Sequence, residues 1–232
     1  MLEVNHICKT FDAVPVLQDV TFQAGGSEIC GILGKNGAGK TTLFKIVSNL
    51  LLQDSGEILL DGAPLHSTDF YSVFGVERSL YWTISVYENI LYYSALKNID
   101  KREVDEKLKN CQELQFIHPF LKRKTGKLSL GEKQLVLITI LMIVNPKLMC
   151  LDEPSNGLDI LNLKHLEQLL LNCSRKNQSI ILVSSHDVSF LYDIADVFFV
   201  VDNGKIVAKI DKAEKDLETI EKMYQQLIIQ DV

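Results

Sequence analysis

The stretch 34-GKNGAGKTT-42 follows the apolar run 29-ICGIL-33 and leads into 41-TTLFKIVSNL-50, whose apolar residues recur at helical spacing. A continuous apolar run of that length reads as a strand buried on both faces. Gly34, Gly39, Lys40 and Thr41 fit G-x-x-x-x-G-K-[ST], and the strand, loop and helix context that this pattern requires is present. Glycines at 34, 37 and 39 let the backbone turn sharply and approach an anion without a Cβ in the way. Successive N–H groups then point inward, and the following helix sets its positive end on the phosphates. Lys40 is expected to reach the β- and γ-phosphates, and the Thr41 hydroxyl to hold Mg²⁺. Such a loop serves GTPases, kinases, helicases and transport ATPases alike, so residues further along must decide between them.

On either side of the loop the chain reads as strands and helices in alternation. Strands are expected at Leu2–Cys8, Val16–Phe22, Glu28–Leu33 and 56-GEILLDG-62, and a charged helical region over Val86–Leu114. The basic segment 117-IHPFLKRKTGK-127 reads as a linker. Ser129 then opens a helix over Leu130–Val144, which 145-NP-146 ends. Leu148–Asp152 and Ser179–Ser184 are expected strands, separated by a helix over Ile160–Ser174 and followed by one over Val188–Ala195. Val197–Asp202 and Lys205–Ile210 form a hairpin at Asn203-Gly204, and 211–230 is helical. Strands alternating with helices imply a parallel sheet covered by helices.

Composition narrows the function. The chain has 232 residues and is 47% hydrophobic, with 30 acidic against 24 basic side chains for a net charge of −6. That balance argues against a nucleic-acid partner, which calls for a basic footprint. The N-terminus MLEVNHICKTF lacks the features of a signal peptide. The longest near-apolar run, 135-LVLITILMIV-144, is about half of a bilayer span and reads as a buried helix. Five cysteines without a CxxC pair suggest reduced thiols rather than a metal site.

Two further stretches carry chemistry. In 148-LMCLDE-153 an apolar strand ends in a carboxylate pair. Asp152 at the strand end can hold Mg²⁺ through water, and Glu153 can polarise a water for attack on a γ-phosphate. In 128-LSLGEKQ-134, Ser129 is a natural helix cap. With the N–H groups around Gly131 and the helix dipole it also makes a second phosphate site. One nucleotide needs one such site, so a second suggests ATP held between two copies.

In this ordered set the chain resembles the ATP-binding subunit of an ABC transporter, from Leu2 to about Asp211. The Walker A motif is 34-GKNGAGKTT-42, so the resemblance implies nucleotide contacts from Gly34, Asn36, Gly37, Ala38, Gly39, Lys40, Thr41 and Thr42. Walker B is 148-LMCLDE-153, the signature LSGGQ stands as 128-LSLGE-132, the D-loop resembles 155-SNGLD-159, and the switch histidine is His186 in 184-SSHD-187. The resemblance implies Glu153 and His186 as catalytic residues, and Phe11 against adenine with Val16 beside it. Asp159 is implied to join two subunits, to cap the helix at Ile160, or both. The fold implied is an α/β phosphate-loop NTPase with a RecA-like core, an N-terminal antiparallel β layer and an α-helical subdomain. The whole of 1–232 is expected to be one ATP-binding domain, with the helical subdomain at about 83–145 and a helical tail at 211–232.

Two departures from the pattern stand out. Leu130 and Glu132 replace the usual glycine and glutamine of the signature, which puts a side chain on bare backbone and a carboxylate near the partner's γ-phosphate. No glutamine lies between Gln53 and Gln112, so Glu77 in 75-GVERSLYW-82 is the nearest substitute for the family's Q-loop metal contact. The neighbouring Tyr81 and Trp82 belong either to an interface for a membrane subunit or to the core of the helical lobe. The resemblance implies two copies, or one copy and a paired ABC subunit, closing over two ATP with Mg²⁺. It also implies separate transmembrane permease subunits and a place on the cytoplasmic face of the membrane. The stretches 77-ERSLYW-82 and 156-NGLD-159 resemble exporters of drugs or antimicrobial peptides. The other reading open to this fold is a soluble ATPase of cofactor assembly or regulation.

Overall fold

A computed structural model describes residues 1–75 and 79–229. The strands are β1 (Leu2–Phe11), β2 (Val14–Ala24), β3 (Ile29–Leu33), β4 (Ser55–Leu60), β5 (Ala63–Pro64), β6 (Phe70–Phe74), β7 (Leu148–Asp152), β8 (Ile180–Ser184), β9 (Val197–Asp202) and β10 (Lys205–Asp211). The helices are α1 (Lys40–Val47), α2 (Val86–Ala95), α3 (Lys101–Asn110), α4 (Leu130–Val144), α5 (Ile160–Asn177), α6 (Val188–Ile194) and α7 (Leu217–Ile229). Six strands form a sheet in the order β10-β9-β3-β8-β7-β6, parallel except for the antiparallel edge strand β10. A second, antiparallel sheet has the order β2-β1-β4-β5. The expected α/β phosphate-loop fold with an antiparallel β layer is therefore present.

The continuous apolar runs follow from a sheet buried on both faces. Successive residues of one strand feed different cores. Ile29, Leu33, Met149, Leu151, Ile181 and Val183 join the helices in one cluster. Cys30, Ile32, Leu148, Cys150, Ile180 and Leu182 meet α1 and the antiparallel sheet in the other. Helix α4 is buried nearly all round, from Gln134 through Leu141, which explains an apolar run with no polar face.

Several elements differ from expectation. Helix α1 starts at Lys40 and stops at Val47, short of Leu50. The region 86–114 is two helices, because Asn98 turns left-handed (φ 61°) and Asp100 caps α3 by accepting the Glu103 N–H at 2.9 Å. The linker 117–127 takes in the end of a 3₁₀ segment over Gln112–Phe120 and a 3₁₀ turn over Thr125–Lys127. Strand β6 was not expected from the sequence; it pairs in parallel with β7, from Phe70 opposite Leu148 to Phe74 opposite Asp152. The hairpin at Asn203-Gly204 has positive φ at both residues, 44° and 76°, as the tight turn requires.

Candidate functional site

Strands β3, β7 and β8 end side by side, with Asp152 of β7 opposite Ser184 of β8. Ligands of open α/β sheets bind beyond the carboxyl ends of the strands, and the chemistry of this chain gathers there. A cavity of about 270 Å³ is lined by Val16, Lys35, Asn36, Gly37, Gly39, Lys40, Thr41, Thr42, Asp152 and Glu153.

Local geometry prepares this cavity for an anion. Gly39 is left-handed (φ 105°), and a Cβ there would stand 2.8 Å from Leu17 and 2.9 Å from the Val16 carbonyl. No side chain caps α1 and its first turn has no acidic residue, so the opening N–H groups stay available. Gly34 has another role: a Cβ would lie 2.4 Å from the Val201 carbonyl, so it serves close packing under the loop. Gly34 and Ala38 frame the loop without lining the cavity. Lys40 is buried, and its ammonium donates to the carbonyls of Gly34 at 2.6 Å and Lys35 at 3.2 Å. Burial lowers its pKa, opposed by the carboxylates of Glu153 and Asp152.

The carboxylates are held by strand ends. Asp152 accepts the Thr41 hydroxyl at 2.6 Å on one oxygen and the Ser184 hydroxyl at 2.6 Å on the other. Thr41 and Asp152 thus form a hydroxyl and carboxylate pair suited to Mg²⁺, a hard cation that keeps several waters. Glu153 is left-handed (φ 51°), a conformation that costs a non-glycine residue about 1–2 kcal/mol. Its N–H is held by the Ser184 hydroxyl at 3.0 Å and carbonyl at 3.2 Å. This bend brings its carboxylate 2.9 Å from Nδ1 of His186. With the Glu153 carboxylate accepting, Nδ1 of the exposed His186 ring is the donor of this contact. Ser184 is a positioning residue that sequence reasoning missed; a serine at a strand end gives no signal of its own. Also missed is Tyr224 of α7, which shares a cavity of about 370 Å³ with His186, Asp187, Val188 and Ser189. Burial raises its pKa, as do the charges of Glu153 and Asp202.

The other sequence candidates lie apart from the phosphate loop. Phe11 is exposed at the end of β1, with the Lys9 ammonium 5.4 Å from its ring centre, and does not line the cavity, whereas Val16 does. Ser129 and Glu132 form a capping box. The Ser129 hydroxyl accepts the Glu132 N–H at 3.1 Å, and the Glu132 carboxylate accepts the Ser129 N–H at 2.7 Å and Arg123 at 3.0 Å. Burial pushes the Glu132 pKa up, but these partners outweigh it and leave it lowered. The carboxylate expected to repel a γ-phosphate is tied down within its own chain. Leu130 leans over Gly157, and Gly131 sits against Asn162 and Leu158, so the signature and D-loop segments pack together. Asp159 caps α5, accepting the Asn162 N–H at 2.8 Å. Glu77 lies outside the described residues.

The family model described as ABC transporter matches residues 17–156, more than half of the chain. The chain belongs to the ABC transporter family. It is an ABC-type ATPase cassette and binds ATP. A second model, described as AAA domain, putative AbiEii toxin, Type IV TA system, matches 123–191 within it. Among relatives, the uncharacterised ABC transporter ATP-binding protein YhaQ of Bacillus subtilis is 31% identical over 90% of this chain and 70% of its own. The lantibiotic transport ATP-binding protein SrtF of Streptococcus pyogenes is 29% identical over 99% of this chain and 98% of its own. Other relatives are longer: the chain spans 41% of a putative ABC transporter ATP-binding protein of Clostridium perfringens, at 28% identity. Among solved structures, an ATP-binding subunit of an ABC transporter superposes with a TM-score of 0.83 at 26% identity, covering 97% of this chain and 93% of that one. No helix of the described residues is long and apolar enough to cross a membrane.

Proposed function

We propose that this cassette hydrolyses Mg-ATP between two cassettes and so powers transport by separate membrane subunits, on the cytoplasmic face of the membrane. The observation that carries the chemistry is the contact between Glu153 and His186 beside the Thr41 and Asp152 pair. In this reading Glu153 takes a proton from water as the oxygen attacks the γ-phosphorus, the bond to the β-phosphate oxygen breaks, and ADP and phosphate leave. His186 orients that water and the γ-phosphate, Lys40 and the loop N–H groups hold the β- and γ-phosphates, and Phe11 with Val16 holds the adenine. Mg²⁺ at Thr41 and Asp152 would offset developing charge. Glu77 is assigned to the same ion from the sequence pattern alone.

Ser129, Gly131 and Asp159 complete the site from the second cassette. The 83–145 segment is proposed as a lobe that can move against the rest of one ATP-binding unit. Similarity over its whole length to a lantibiotic transport protein supports export of a peptide or drug. The test compares steady-state Mg-ATP turnover of the purified protein with that of Glu153→Gln. Loss of a general base lowers the rate by about 10²–10⁴-fold, while nucleotide binding persists. Unchanged turnover would remove Glu153 from the mechanism.

A further inference from the structure

The antiparallel layer meets the nucleotide cavity through one bulged residue. Strands β1 and β2 pair with Lys9 opposite Leu17 and Thr10 opposite Pro15, so Val16 is an extra residue of β2 left out of the ladder. A bulge of this kind re-aims a side chain, and Val16 is the residue of β2 that lines the cavity. Its place is therefore set by contacts other than the β1–β2 ladder.

Those contacts come from the other end of the chain. The turn between β9 and β10 reaches back to β2, and Gln18 holds both of its carbonyls. The Gln18 N–H donates to the Gly204 carbonyl at 2.8 Å, and the Gln18 side-chain amide donates to the Asn203 carbonyl at 2.9 Å. Gly204 in turn donates its own N–H to the Ala38 carbonyl of the phosphate loop at 3.1 Å. The fit is close: a Cβ at Gly204 would stand 2.3 Å from the Val16 carbonyl, and one at Gly39 would stand 2.9 Å from it. The Val16 carbonyl is thus packed between the turn and the phosphate loop, and Leu17 beside it is buried. Of the two bonds from Gln18, the backbone one is open to any residue but proline, whereas the side-chain one needs this amide.

We propose that Gln18 is a positioning residue for the base of the nucleotide: its amide ties β2 to the Asn203-Gly204 turn and so fixes the Val16 wall at a set distance from the phosphate loop. Gln18 does not line the cavity and acts through Val16. The proposal rests on the reading of Val16 as a wall for the adenine. The phosphate end is braced separately, because Lys40 holds the Gly34 and Lys35 carbonyls and Gly204 keeps its bond to Ala38 when the Gln18 amide is lost. Loosening β2 then affects the base and spares the phosphates.

The test uses the full chain and two probes, ADP and ribose 5-diphosphate, each with Mg²⁺ and titrated by calorimetry. The second has the sugar and diphosphate of ADP but no base, and neither probe is turned over. Gln18→Met keeps the side-chain length and removes the donor. Wild type is expected to bind ADP at least about tenfold more tightly than ribose 5-diphosphate, the share of a packed base. Gln18→Met should weaken ADP about fivefold, the fold-change of one hydrogen bond, and leave ribose 5-diphosphate unchanged. In steady-state turnover its KM for ATP rises by the same factor while kcat holds. The control is Thr21→Val on the same strand, which removes the hydroxyl that accepts the His6 N–H at 3.0 Å and leaves the turn alone. It should move neither affinity, and thermal melts check that both variants are folded. Wild-type ADP affinity in Gln18→Met overturns the proposal, as does equal weakening of both probes, which would place the tie under the phosphate loop. The same loss of ADP affinity in Thr21→Val also overturns it, because any loosening of β2 would then suffice. If wild type binds the two probes equally, the adenine wall at Val16 falls and this role of Gln18 with it.

Discussion

At the scale of single residues, the site depends on a few side chains that each hold two others. Ser184 is fully buried and ties Asp152 to the Glu153 N–H. Ser184→Ala leaves one Asp152 oxygen unpartnered and loosens the left-handed bend at Glu153. A lost hydrogen bond to a charged group costs about 1.5–3 kcal/mol. The expected outcome is a lower melting temperature and a kcat that falls more than KM rises; a normal kcat would show that the bend holds without the hydroxyl. Lys40→Ala acts differently, because it removes the one buried ammonium from the phosphate loop. Equilibrium binding of a fluorescent ATP analogue should then be lost, and retained binding would count against the loop assignment. Most of this site was legible in the chain: Lys40, Thr41, Asp152, Glu153 and His186 stand in recognisable patterns. Ser184 and the bend at Glu153 were not, because strand register brings them together and no local pattern encodes register.

At the scale of elements, the start of α4 shows how a readable signal can be misread. Ser129 followed three residues later by Glu132 is the sequence form of a capping box, and the structure contains both of its hydrogen bonds. Read against the ATP site alone, Glu132 looks like an unwelcome charge; read as part of its helix, it stabilises the N-terminus. Glu132→Ala should therefore destabilise the protein by about 1 kcal/mol, a fall in Tm of roughly 2–4 °C for a chain of this size. The lowered pKa of Glu132 gives the pH dependence. Its contribution is complete above the unfolded glutamate value, about 4.3, and fades as pH falls through the lower folded value. Scanning calorimetry at pH 7 and near pH 3 should show the gap between wild type and Glu132→Ala narrowing in acid; a constant gap would point to packing alone. Strand β6 marks the opposite case. Its sequence, FYSVF, has no alternation and sits beside turn residues, so only its pairing with β7 makes it a strand. The break between α2 and α3 falls where Asn98 and Asp100 are turn and cap residues, although α2 is mostly apolar and α3 strongly charged.

At the scale of the whole molecule, the phosphate cavity and the signature segment are separate surfaces of one chain. Ser129 and Gly131 do not line the cavity, yet they sit at the start of a helix whose cap leaves the Ser129 hydroxyl proton free to donate. Beside them the signature segment exposes Leu130 at 42%, and the start of α5, after the D-loop, exposes Ile160 at 82% and Leu161 at 67%. Large apolar side chains this exposed at the starts of α4 and α5 are costly to leave in water, at roughly 25 cal/mol per Å² of apolar area, unless a partner covers them. A second cassette meeting the phosphate loop with this face would bury them and complete the site together. Glu153→Gln in Mg-ATP should then run as a dimer by light scattering, and as a monomer without nucleotide. Adding Ile160→Asp should return it to a monomer while each chain still binds the nucleotide through its own loop. If Glu153→Gln stays monomeric in saturating Mg-ATP, the paired-cassette mechanism fails. If it dimerises and Ile160→Asp has no effect, two cassettes meet through another face.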